Sequence, residues 1–273
     1  MAVTKEQKQL FNTKVRPYKS QSEDLKKEIS MLKAAARKNN KLEAYFHIKS
    51  AVLGIQRANL QVTMSKLSYA IQSLKNDTYL SEARKELNQH INDLSRLAGE
   101  TLDGGLTDNK DNLPKFAAVS VQQRLNLLRG FFDSIENVKN TMGTSSKWRW
   151  SFPDTFRRLL ILGRNLLDFK DYERTKDPNN ENYRPYQEYM QTLMEISQVT
   201  AQEFRQKYEL STSDAGDLQQ TEKVFSFQKQ VYLFTGQKDE LQRSTNALDN
   251  VKSMLETLQA EKSGKKKKVK RKK

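Results

Sequence analysis

The sequence predicts an all-α protein: an elongated bundle of six or seven helices with coiled-coil-like packing, followed by a disordered polybasic C-terminal tail. Three observations predict it. Apolar residues recur at three- and four-residue spacing along most of the chain, the period of a helix with one buried stripe. The 273 residues include 10 Gly and 5 Pro. Glycine is thus at roughly half its usual abundance of about 7%, which leaves few tight turns for a sandwich, a barrel or a glycine-rich nucleotide loop. No segment shows the strict alternation of a half-buried strand, and no residue-level repeat is visible.

The elements follow in order. Residues 1–19 are expected to form a partly ordered arm: Leu10, Phe11 and Val15 are scattered, and Arg16-Pro17 interrupts any helix. Ser20 with Glu23 is a capping box, and Leu25, Ile29, Leu32 and Ala36 make the stripe of the first helix. Asn39-Asn40 breaks it. A second helix over about 41–75 carries Tyr45, Ile48, Val52 and Ile55, then Leu60, Met64, Leu67, Ile71 and Leu74. These two stripes are out of step by about 140° around the axis, so the helix should meet different neighbours on two faces. Asn76-Asp77-Thr78 ends it and caps the next; as a glycosylation sequon it lacks a secretion signal to make it meaningful. Leu80, Ala83, Leu87, Leu94 and Leu97 keep heptad spacing in a third helix, with Ile91 and Ala98 beside them.

Asp103-Gly104-Gly105 stops that helix, and a loop runs through Asn112. Pro114 is expected to open a fourth helix with the stripe Val121, Leu125, Leu128, Phe132, Ile135 and Met142. After a loop over 143–146, Ser151 with Asp154 caps a fifth, which carries Phe156, Leu159, Leu160, Leu166 and Leu167. Residues 173–182 form a polar connector. Tyr186, Met190, Leu193, Ile196, Phe204 and Tyr208 mark a sixth helix, and 211–216 a loop. From about 217 to 261, Val224, Phe227, Val231, Phe234, Leu241, Leu248, Leu255 and Leu258 read as one heptad frame, interrupted at Lys238, Thr245 and Lys252. Thr235-Gly236 is the expected kink or break. Leu67, Ile71, Leu128, Phe132, Val231 and Phe234 should be buried. The bundle therefore spans 20–261, with an internal boundary at 103–113 or 173–182, and the tail is 262–273.

Charge is segregated. Of the formal net +15, residues 262–273 carry +9 and residues 1–57 carry +8, which leaves −2 for 58–261. Binding to a polyanion depends on such local charge. Eight of the last nine residues are Lys or Arg: Lys265, Lys266, Lys267, Lys268, Lys270, Arg271, Lys272 and Lys273. This density repels itself, so the tail is expected to be disordered alone and to bind phosphate polymers by counterion release without reading sequence. Lys267-Lys268-Val269-Lys270 also fits a minimal nuclear import signal if the source is eukaryotic. A second basic set, Lys26, Lys27, Lys33, Arg37, Lys38 and Lys41, surrounds the first helix. The third candidate is Trp148 and Trp150 within Lys147-Trp148-Arg149-Trp150, followed by Phe152 and Arg157-Arg158. Rings among cations can stack on bases or sit at a membrane interface; the favoured reading packs them over the start of the fifth helix as a hydrophobic staple.

Catalytic signals are missing. With no Cys there are no disulfides, zinc-thiolate sites or thiol nucleophiles. No phosphate loop, dinucleotide fingerprint, nucleophile elbow or HExxH occurs. His47 and His90 each follow a glutamate (Glu43, Glu86) by four residues, on one helix face. The di-iron pattern needs Glu-x-x-His, so these are expected to be ion pairs or surface contacts, and no metal or cofactor is expected. No run approaches the ~20 apolar residues of a membrane span, the N-terminus has no apolar signal core, and mean hydropathy is −0.85. The expected place is the cytoplasm, or the nucleus in a eukaryote. The leading functional expectation is a non-enzymatic adaptor whose basic termini engage nucleic acid or a nucleoprotein. The alternatives are a scaffold that assembles with itself or a protein partner, and, third, a peripheral protein of anionic membranes.

Overall fold

A computed structural model describes residues 3–270, with side chains over 3–260. Helix accounts for 81% of it, and the described residues contain no strand. The chain divides into two compact units: Met1–Glu100 with Thr107–Leu193, and Thr101–Leu106 with Met194–Lys273.

The first unit begins with α1 (Lys5–Lys38), opened by a reciprocal capping box between Thr4 and Gln7. Residues 5–19, expected as a partly ordered arm, lie within α1. Pro17 lies inside α1, contrary to the interruption expected there. A mid-helix proline costs about 3 kcal/mol or more, and tertiary packing offsets it: Phe11 and Val15 cluster with Met64 of α2 (Glu43–Gln72), joined by Tyr18, Leu67, Ile71 and Tyr79. Leu67 and Ile71 are only half-buried, at the rim of that cluster, and Leu74 is exposed. The face α2 does bury is built from small residues, among them Ala44, Ser50, Ala51, Gly54, Ala58 and Ser65. Small side chains let three neighbours pack against one helix, namely α1, α3 (Asp77–Ala98) and α4 (Val121–Met142). Asn76 caps α3 by accepting from the backbone N–H groups of Thr78 and Tyr79.

Pro114 does not open α4. It sits in a 3-10 turn, Leu113–Phe116, and α4 starts at Val121 behind a capping box of Ser120 and Gln123. That box satisfies two otherwise orphaned donors, which fixes the start there. In α5 (Phe152–Leu166) every residue is buried except Asp154, Arg157 and Arg158. Ser151 does not cap α5 with its side chain; its hydroxyl donates to the Trp148 carbonyl at 2.7 Å. A six-residue helix, α6 (Phe169–Arg174), precedes the polar connector and is too short to show a period in sequence.

α7 (Tyr183–Lys207) contributes its C-terminal part to the second unit, where a π-turn (Tyr208–Thr212) leads to α8 (Ala215–Thr235) and α9 (Lys238–Lys270). Gly236 ends α8 with φ 73°, the left-handed conformation glycine tolerates. The break resets the heptad. Leu248 and Leu255 keep their places, but Ser244 and Val251 are buried beside them, whereas Thr245 and Lys252 are not. Leu218, Val251 and Leu255 form the local core, and Phe234 is half-buried. The described residues thus hold nine α-helices rather than six or seven. α9 extends into the segment whose charge density predicts disorder; lysine's good helix propensity is compatible with that. The side chains of 262–273 lie outside the described residues.

Candidate polyanion-binding surface

The basic residues of α1 divide by their partners. Lys26, Arg37, Lys38 and Lys41 are exposed. Lys27 is exposed too and meets Asp24 at 3.2 Å along its own helix, a weak contact at such a surface position. Eleven residues bring a helix back to within about 20°, so Lys26 lines up with Arg37, and Lys27 with Lys38. Lys33 is different. Its Nζ lies 2.7 Å from the Asp93 carboxylate on α3, with both side chains largely covered. Burial pushes the Asp93 carboxyl up, but hydrogen bonds from Lys33 and Gln89 outweigh it and hold the pKa below the ordinary value. Lys33 therefore braces α1 against α3 and is removed from the set available to a ligand.

Beside this brace is a pocket of about 330 Å³ whose lining includes Arg37, Glu43, His47, Asp93 and Arg96. His47 Nε2 is 3.8 Å from Glu43, and burial pushes the imidazole pKa down against the pull of Asp93 and Glu43. The second Glu–His pair is a core feature rather than a surface one. His90 is 1% exposed and its Nε2 lies 3.2 Å from Glu86, which also pairs with Arg57 of α2. Burial raises the Glu86 carboxyl pKa, and His90 with Arg57 more than reverse it. No group of three or more His, Cys, Asp or Glu among the described residues could hold a metal.

A polar seam joins α3 to α5. Arg84 Nη1 donates to Ser151 Oγ at 3.4 Å, Thr155 Oγ1 to Asn88 Oδ1 at 3.2 Å, and Arg158 Nη1 to Asn92 Oδ1 at 3.1 Å. At one end is a cleft of about 360 Å³ lined by Asn92, Ser95, Arg96, Glu100, Arg157, Arg158 and Ile161. Arg157 also meets Asp154 at 3.3 Å. Arg96 lines both this cleft and the pocket beside Arg37, so basic groups run from the end of α1 across α3 to α5. Sequence reasoning passed over Arg84 and Arg96; the four-residue spacing of Arg84, Asn88, Asn92 and Arg96 was the available signal.

Trp148 and Trp150 stand at the entry to α5, both half-buried. The Arg84 guanidinium covers Trp148 at 4.4 Å, with Lys147 at 5.4 Å, and Arg149 lies 4.9 Å from the Trp150 ring. Of the tail cations, Arg271, Lys272 and Lys273 lie outside the described residues, as do the side chains of Lys265, Lys266, Lys267, Lys268 and Lys270. A further cleft of about 490 Å³ includes Arg124, Asp168, Asp171 and Tyr186 in its lining. Arg124 is occupied by the carbonyls of Phe116, Val119 and Leu166. Burial, with Asp171 and Asp168, pushes the Tyr186 pKa up to about 12, so this phenol keeps its proton at neutral pH. No helix among the described residues is long and apolar enough to cross a membrane.

Among known proteins, the family model described as the TP0443 family matches residues 7–259. No curated protein matches the chain. One solved structure, described as "Computational Design of Self-Assembling Cyclic Protein Homooligomers", is 12% identical over 89% of this chain and 95% of that chain, with a TM-score of 0.32. Likeness at that level carries nothing over to this chain.

Proposed function

The chain belongs to the TP0443 family, and we propose that it is a non-enzymatic helical adaptor that engages nucleic acid or a nucleoprotein by charge, without reading base sequence. The segregation of charge carries this reading: +9 over 262–273 and +8 over 1–57 against −2 in between. The exposure of Lys26, Arg37, Lys38 and Lys41 on and after α1 supports it. Phosphate contacts of this kind supply affinity and no sequence information.

The test is a salt titration of the full chain and of a chain lacking 263–273, on one DNA duplex and one RNA of equal length. If four to six tail charges meet phosphates together, log affinity falls against log salt with a slope of about −4 to −5 on duplex. Deletion should remove most of that slope, and changing the base sequence should alter little. Absence of binding at low salt would end the nucleic-acid reading, and binding only to anionic vesicles would replace it with a membrane one.

A second reading, a scaffold for a protein partner, is favoured by one observation. A largely apolar groove of about 640 Å³ is lined by Leu32, Tyr45, Val52, Leu53 and Leu127, among others, and Val52 is exposed. A rise in mass with concentration, measured by sedimentation, would support that reading in its self-assembling form.

A further inference from the structure

We infer that the cleft between α3 and α5, where Arg96, Arg157 and Arg158 converge, seats one phosphate group of the nucleic-acid backbone against the first unit. The inference rests on the reading of this chain as a nucleic-acid binder. It adds a contact that is built into packed helices, and hence positioned, to a tail that supplies charge alone.

The cleft's chemistry fits that ligand. α5 is buried along its length apart from Asp154, Arg157 and Arg158, so the part of it that is not buried carries two adjacent guanidinium groups beside one carboxylate. Arg158 is oriented by Asn92 Oδ1 at 3.1 Å, a neutral acceptor that fixes the fork without cancelling its charge. Arg96 arrives from α3 and is exposed. Against these three cations the lining holds one acid, Glu100, an excess of two positive charges. Asp154, 3.3 Å from Arg157, reduces the excess to one, which matches a phosphodiester's single negative charge. Planar guanidinium forks bind phosphate oxygens in pairs, which lysine does not do, and the tail has one arginine, Arg271, among its lysines. Ser95 and Asn92 add polar groups to the same wall. Because Arg96 also borders the pocket that holds Arg37, a strand seated here has further cations within the same basic run.

The test uses the full chain with Arg96→Gln and with the double change Arg157→Gln/Arg158→Gln, titrated on one duplex across salt. Circular dichroism and melting serve as fold controls. Each variant should weaken binding roughly tenfold or more, the loss of a charge-assisted hydrogen bond pair. Each should flatten the salt slope by about one, as expected when a single phosphate contact is lost. The same loss should persist without residues 263–273. If folded variants bind with unchanged affinity and slope while tail deletion still weakens binding, the seat is wrong and the adaptor reading stands. If the unaltered chain binds neither the duplex nor an RNA of equal length at low salt, both fail. Should the double variant misfold, Arg96→Gln decides alone, since that side chain is exposed.

Discussion

The imidazole of His90 lies against the backbone of α2 at Gly54: a Cβ built on Gly54 would stand 2.1 Å from His90 Cδ2. The missing side chain is what lets α3 approach α2 so closely, and it carries a buried histidine, with its glutamate partner Glu86, into the contact.

Gly54→Ala should therefore destabilise the protein. Alanine would gain about 1 kcal/mol of helix propensity, but overpacking a filled site costs about 1–3 kcal/mol, and His90, 1% exposed and paired with Glu86, would have to shift. Denaturant midpoints should show a net loss. Combining Gly54→Ala with His90→Ala should give less than the sum of the two single losses, because the clash is then gone. Additive effects would mean that the two residues do not oppose each other.

Phe132→Ala should cost roughly 3–5 kcal/mol, the range for a buried aromatic. Phe132 is 8% exposed and meets Phe156 edge-on at 6.0 Å between ring centres. Phe234→Ala should cost clearly less, since Phe234 is half-buried. Equal losses in chemical unfolding would show that fractional exposure misjudges one of these sites.

Acidification should remove stability in two steps. The folded pKa of His47 lies below its ordinary 6.5, so the unfolded chain takes up that proton first, and stability falls as pH drops from about 6.5 towards the folded value. Glu86 and Asp93 lie below their ordinary 4.5 and 3.8. Their contribution is complete above those values and is lost as pH falls through the lower folded ones. His47→Gln should erase the upper step and leave the lower one, as read from urea midpoints between pH 3 and 8. An upper step that survives this change would assign it elsewhere.

Tryptophan emission should be blue-shifted in the isolated protein and little altered by an oligonucleotide, because Trp148 already has the Arg84 guanidinium over its ring at 4.4 Å. Arg84→Ala should shift emission to the red by uncovering that ring. Strong quenching by an oligonucleotide, with weaker binding of Trp148→Ala, would instead make the ring a base-stacking platform.

Much of the helix pattern was legible because caps and breakers act locally. Asn76 announces α3, Gly236 ends α8, and the polar run over 173–182 leads to α7. The Ser120–Gln123 box was equally local and was masked by the louder signal of Pro114. The candidate cleft was legible only in part. Arg157-Arg158 stands out in sequence, whereas Arg96, about sixty residues away, joins it only through the packing of α3 on α5.

By itself the sequence determined the helical class, the segregation of charge to the two ends and the lack of thiol chemistry, since these follow from composition and from periods of three and four residues. Tertiary structure decided what no period encodes. It carries α1 through Pro17, because Phe11 and Val15 gain a partner in Met64. It moves the α9 seam to Ser244 and Val251, because Gly236 restarts the frame. It makes Lys33 a brace while Arg37 stays exposed, because Lys33 pairs with Asp93 of α3. Each outcome depends on residues distant in sequence, and the free energy that settles it is that of burial and charge pairing between helices, which a local pattern does not contain.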